Sequence, residues 1–317
     1  MAHLVRSRWV GTTLGVLLAA ALIGWLGPRE VLASIGHVQP GDVGVYLGLT
    51  ACTYLLRAWR FRALISLATS LPRLYGIVSL HTLLVNLLPF SAGDLSYPVL
   101  LKRFGISRDL VEGIPSLLVV RLQDVLITAA LVPVALVWLG HGALLRDAAE
   151  ARWPLALLVV AAGATLAFVA HRPLARSALG RRVAPTVRRV WSDVRGLHPR
   201  VWLVTLALGL LARLVAIVGV SYLFRGVGIP LSPATVLLIT TLYTLLPLLP
   251  VNVVAGIGVT EAFLVICFVA SGIDRGVAAT ASLQVHGLQL LTAVVLAGIG
   301  LLQLWWWGRD EPARQRS

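Results

Sequence analysis

The sequence predicts an all-α, polytopic membrane helix bundle, a single integral domain over residues 1–317. Three observations predict it. Of 317 residues, 58% are hydrophobic and only 13% charged, against about 25% charged in soluble domains. Apolar stretches of roughly the 20 residues needed to cross a bilayer recur along the chain. The charges fall mainly between those stretches, where topology signals belong.

Taken in order, the first span covers 9–26, preceded by Arg6 and Arg8. This pattern resembles a signal peptide, but the apolar run is longer than a usual h-region, so it is read as an uncleaved span. The second span covers 43–62. Residues 57–73 then carry Arg57, Arg60, Arg62 and Arg73 with no acid. An apolar region at 74–101 is interrupted by Asn86, Pro89, Gly93, Asp94 and Pro98. Proline removes a backbone donor and glycine permits a sharp turn, so the helix breaks there. A span follows at 114–139, then a near-neutral link at 140–153 and a span at 154–171. Residues 172–200 hold eight arginines against Asp193 alone. A span at 201–224 leads into a second broken region, 234–272, holding Pro247, Pro250, Asn252, Gly256, Gly258 and Glu261. The last span, 283–307, ends in Trp305 to Trp307, an interfacial aromatic anchor.

The expectation is therefore about six full spans plus two broken regions, each either a re-entrant hairpin or a pair of crossings. The basic segments 57–73 and 172–200 belong in the cytoplasm by the positive-inside bias. Parity then puts both termini there, in a multi-pass protein of the cell membrane. Each broken region reads Leu-Leu-Pro, then Gly, then an acid. Asp94 stands 27 residues before Arg121, and Glu261 stands 25 before His286. The units 43–139 and 201–307 thus read as a repeat, inverted under this topology, as in many secondary transporters.

Five ionisable residues fall within or beside apolar segments: Asp94, Arg121, Asp124, Arg213 and Glu261. Each costs about 2.5–3.5 kcal/mol at a helix centre, so each should face the interior and find a partner. Arg121 and Asp124 share a helical face and either neutralise each other or serve other groups. Arg213 lies 13 residues into a 24-residue span with no acid within a turn. It needs Asp94, Glu261, Asp124 or an anionic substrate, and a guanidinium fork suits phosphate. His81, Tyr97 and His286 are read as packing or hydrogen-bonding residues. Cys52 and Cys267 lie in apolar spans and are read as buried packing residues, not as a disulfide. No nucleotide loop, zinc-ligand spacing or hydrolase elbow is present in the sequence, so no cofactor, metal or catalytic residue is expected. The net charge of +14 lacks aromatic interleaving and points to topology and anionic lipid, not to nucleic acid.

The segments RAWRF (57–61), NLLPFSAGDLSYPVLLKRFGIS (86–107), VVRLQDVL (119–126) and LLPLLPVNVVAGIGVTEAF (245–263) resemble the lysylphosphatidylglycerol synthase transmembrane-region family, over about 45–305. That family usually carries Gly-Glu where this chain has Gly93-Asp94, and Glu-Arg where Val120 precedes Arg121. It tends to Pro-Gly-Gly-Ile-Gly where this chain runs from Pro250 through Gly256 to Gly258. The resemblance implies movement of an anionic phospholipid or lipid-linked glycan across the bilayer. It does not imply lysine transfer, since no soluble synthase domain accompanies the given sequence. The expected function is thus a flippase-like translocator, not an enzyme. In it Arg121 and Arg213 hold phosphate, Asp94, Asp124 and Glu261 balance charge, and the hairpins built on Asn86, Pro89, Gly93, Pro98, Pro247, Pro250, Gly256 and Gly258 line the path. One alternative is a membrane scaffold for a glycosyltransferase or lipid-modifying enzyme, docking through 172–200. A second is an intramembrane enzyme with the carboxylates as acid and base.

Overall fold

The computed structural model describes residues 38–65, 69–88, 93–107, 109–140, 192, 194–246, 254–256 and 258–307. The expected spans 9–26 and 154–171, most of the basic segment 172–200, and Pro89, Pro247 and Pro250 lie outside the described residues. Those described form helices joined by turns, with no strand among them. The helices are α1 (Pro40–Leu64), α2 (Leu71–Leu87), α3 (Ser96–Arg103), α4 (Ile114–Gly140), α5 (Pro199–Gly226), α6 (Pro233–Tyr243), α7 (Val259–Ala270) and α8 (Arg275–Trp307). Proline opens α1, α2, α5 and α6 within their first two positions, where its missing N–H costs nothing.

Among the described residues, three helices are long and apolar enough to cross a membrane: Ile114–Gly140, Pro199–Gly226 and Arg275–Trp306. The last begins eight residues before the expected 283. α1 has 25 residues, about 37 Å of rise. It is long enough to span, but Arg57, Arg60 and Arg62 dilute its apolar run.

Both breaks expected from the sequence exist, and the chain turns back at the first. Arg73 Nη2 donates to the Phe104 carbonyl at 2.9 Å, His81 Nδ1 meets Ser96 Oγ at 2.9 Å, and Gly93 lies against the backbone of Leu84 and Val85. These contacts step evenly down two antiparallel segments, so the start of α2 and the end of α3 lie at the same level. The 17 residues of α2 go in about 25 Å, and the chain returns beside them. Gly93 is required by this close approach: a Cβ there would run into the backbone of Val85. Pro98, read as part of the break, instead sits buried in the first turn of α3. The second break lies between α6 and α7, helices of 11 and 12 residues, each about half a bilayer long. Tyr243 at the end of α6 packs on Phe263 of α7, ring centroids 6.1 Å apart. Between them a short 3-10 turn covers Val254–Gly256, with Ala255 at φ 57°, Gly256 at φ 67° and Gly258 at φ 84°.

α1 and α5 run antiparallel along their whole length. Gln39 N donates to the Gly226 carbonyl at one end, Gly219 meets Leu49 and Tyr46 midway, and Gly209 lies under the Arg60 guanidinium near the other. Small residues let backbones approach where no hydrophobic drive operates between helices in lipid. The same device joins α2 to α8, where Gly76 and Gly300 cross. α6 packs on α4 through Ala234, Leu237, Leu238, Ala135 and Leu139. Each hairpin therefore leans on the long closing helix of the other half: α2 on α8, and α6 on α4. The two breaks themselves touch, through Leu87, Ala255 and Leu290.

Candidate functional site

The polar residues of the interior gather where α1, α4 and α5 face the first hairpin. α1 presents Arg57 and Arg60 one turn apart. The Arg60 side chain is only 4% exposed, so it does not stand in a solvated cytoplasmic segment as the sequence reading placed it. Its Nη1 donates to Asp124 Oδ1 at 2.6 Å, its Nη2 to the Val120 carbonyl at 3.1 Å and to Gln123 Oε1 at 3.0 Å. Gln123 is fully buried, and its amide nitrogen in turn donates to Thr205 Oγ1 at 2.9 Å and to the Trp202 carbonyl at 3.1 Å. One glutamine thus ties α4 to both α1 and α5, and every N–H of its amide is used.

Arg121, one turn before Asp124 on α4, pairs with Asp94, just past the first break. The local Arg121–Asp124 neutralisation weighed from the sequence therefore does not form. Asp124 reaches Arg60 and Arg121 reaches Asp94, because the two partners lie on different elements. Arg121 remains 45% exposed, so its guanidinium edges an open surface.

At the second break, Glu261 accepts from the Gly258 N–H at 2.6 Å, so its side chain reaches back to the residue that opens α7. Its other oxygen lies 2.6 Å from His286 Nδ1 on α8. The two spacings noted in the sequence, 94 to 121 and 261 to 286, are thus both contacts. Each acid beyond a break is joined to a base on the long helix that follows. His81 and Tyr97 pack as expected: His81 bonds Ser96, and Tyr97 stacks on Phe61 at 4.1 Å between centroids. Asn86 is half-buried near the end of α2.

Arg213 is the exception. It lies midway along α5, half-buried, and among the described residues no carboxylate pairs with it. Its charged neighbours are Arg57, Asp124, Arg60 and Arg121. The three acids expected to serve it are engaged elsewhere: Asp94 with Arg121, Asp124 with Arg60, Glu261 with His286. The break residues 89–92 and 247–253 contain no acid in the sequence.

Two features are not evident from the sequence. Arg57 and Arg60 read there as topology charges. Their three-residue spacing inside a run that continues as helix to Leu64 was the signal. The second is a clamp between Asp42 and Arg225, 2.5 and 2.9 Å, which locks the far ends of α1 and α5. Nothing local announces a pair 183 residues apart. A separate cavity of about 380 Å³, lined by Ala51, Cys52, Leu55, Leu71, Pro72, Tyr75 and Gln303, carries no charge and stands apart from this cluster. Among the described residues no group of three His, Cys, Asp or Glu could hold a metal ion.

A family model described as the lysylphosphatidylglycerol synthase TM region matches residues 12–298, most of the chain, so the chain belongs to that family. No curated protein and no solved structure matches it. Family membership and the three long apolar helices make it a membrane protein.

Proposed function

From that membership, we propose that the protein is a flippase-like translocator that passes the anionic headgroup of a phospholipid or lipid-linked glycan across the cell membrane while the acyl chains stay in lipid. The observation that carries this reading is Arg213, a mid-helix guanidinium whose three candidate carboxylates are already taken. An uncompensated charge there is costly, and a passing phosphate would neutralise it with a charge-assisted fork. Arg121, half exposed beside Asp94, would receive the phosphate at the edge of the path. Asp94, Asp124 and Glu261 would keep the remaining bases balanced.

The hairpins fit the same role. Interrupted backbone is tolerated in a bilayer only where protein or a wet cavity surrounds it, and both breaks meet each other inside the bundle. The exchange of partners between halves, α2 on α8 and α6 on α4, supports reading 43–139 and 201–307 as an inverted repeat. In that reading the first hairpin opens to the cytoplasm and the second to the outside, with both termini cytoplasmic. The activity is transport without bond-making.

The test is translocation of fluorescent phospholipids in vesicles containing only the purified protein. Arg213→Ala should fold and elute as the wild type does, yet lose translocation. Wild-type rates in that variant would refute the role of Arg213.

A further inference from the structure

One arginine of the interior cluster has no task in that translocation path. Arg57 lies one turn before Arg60 on α1, half-buried. Among the described residues it has no carboxylate partner. The antiparallel register of α1 and α5 decides what it faces. Asp42 lies by Gly226, Leu49 by Gly219 and Arg60 by Gly209, so the residues level with Arg57 are Leu211 and Ala212, and Arg213 follows directly on the same helix. Arg57 also leads the charged neighbours that act on Arg213. Two guanidiniums without carboxylates thus stand within a turn of each other on facing helices.

Two like charges so placed repel, and desolvation adds to the cost. The surrounding acids do not relieve it. Around this point four arginines (Arg57, Arg60, Arg121 and Arg213) face two aspartates, Asp94 and Asp124, each closely held by its own arginine. The local excess is two positive charges. A zwitterionic headgroup, neutral overall, would leave it standing, and a singly charged phosphodiester would leave half. A terminal phosphate, with two charges and three free oxygens, would cancel it and offer acceptors to both forks.

We propose that Arg57 and Arg213 form a clamp for a doubly charged phosphate, of the phosphomonoester or diphosphate class, with Arg60 and Arg121 held back as structural cations by Asp124 and Asp94. The clamp rests on the translocation reading and narrows it to a headgroup chemistry. It also shifts the main phosphate contact from Arg121 to Arg57.

The experiment is calorimetric titration of the purified full chain in non-ionic detergent, at mildly alkaline pH where a phosphomonoester is a dianion. The probes are dihexanoyl phosphatidic acid, dihexanoyl phosphatidylglycerol and inorganic pyrophosphate. Phosphatidic acid should bind roughly 10- to 100-fold more tightly than phosphatidylglycerol, the range for one charge-assisted interaction. Arg57→Gln and Arg213→Gln should each remove that preference, and Arg57→Lys should restore part of it. Pyrophosphate separates the sources. Binding weaker than that of phosphatidic acid assigns the clamp to a lipid headgroup, and tighter binding assigns it to a soluble or sugar-linked diphosphate. Equal affinity for the two lipids, or a wild-type preference in Arg57→Gln, overturns the clamp. Neither result touches the translocation reading, which stands or falls on the vesicle assay of Arg213→Ala. Gel filtration of each variant separates lost binding from lost folding.

Discussion

Truncating Asp124 to alanine would strand the Arg60 guanidinium, whose side chain is 4% exposed, with only neutral acceptors around it. Removing one partner of a buried pair costs about 3 kcal/mol or more, because the other charge stays buried. Asp124→Ala should therefore lower the thermal midpoint markedly in detergent, and Arg60→Met combined with Asp124→Leu should recover most of it. A midpoint unchanged in Asp124→Ala would mean that the pair contributes nothing. Arg213→Ala should behave in the opposite way, since it removes a charge with no carboxylate partner. Its stability should be equal or higher while translocation is lost. The Asp42–Arg225 clamp ties the first turn of α1 to the last turn of α5 and responds to acid. The hydrogen bonds from Arg225 hold the Asp42 carboxyl below its ordinary value of 3.8. A carboxylate lowered in the folded state stabilises above its unfolded pKa and loses that contribution as pH falls through the folded value. Wild-type melting should thus lose the clamp only below about pH 4. Asp42→Asn should melt lower at neutral pH, with the difference from wild type narrowing on acidification. A difference independent of pH would exclude the clamp.

The helix crossings rest on residues without side chains. A Cβ on Gly76 would lie 2.7 Å from both the Gly300 carbonyl oxygen and Leu304 Cγ, far inside van der Waals contact. Gly76→Val should push α8 off the first hairpin and cost about 1–3 kcal/mol, the usual range for overpacking. Thermal unfolding in detergent checks this, and a wild-type midpoint would show that the crossing is loose. The breaks that create the hairpins were legible, because Pro, Gly and an acid within an apolar run signal a broken helix locally. The clasps across them were not. The spacings of Asp94 to Arg121 and of Glu261 to His286 read as signs of a repeat, and an interval alone does not say that its two ends touch. The α1–α5 pairing was not legible. Its register is set by Gly209, Gly219 and Gly226 against α1, and glycine spacing within one helix does not name its partner. For that reason Arg57 and Arg60 passed as loop charges. With α5 beside them, they became part of the interior.

At the scale of the whole molecule, the two hairpins enter from opposite ends, and this follows from contacts alone. α1 runs from the Asp42 clamp at one end to Leu64 at the other, with α5 antiparallel beside it. The first hairpin starts just after Leu64 and returns to the same level, since Arg73 reaches Phe104. The second starts just after Gly226, at the Asp42 end. If the long helices cross the bilayer, Lys102 and Pro230, both exposed, lie on opposite faces of the membrane. In a background with Cys52 and Cys267 replaced by alanine, Lys102→Cys should react with a membrane-impermeant maleimide only from the cytoplasmic side. Pro230→Cys should react only from the outer side. Labelling of both from one face would break the inverted arrangement. Labelling from opposite faces, with the sides reversed, would keep that arrangement. It would overturn only the orientation taken from the arginine-rich segments.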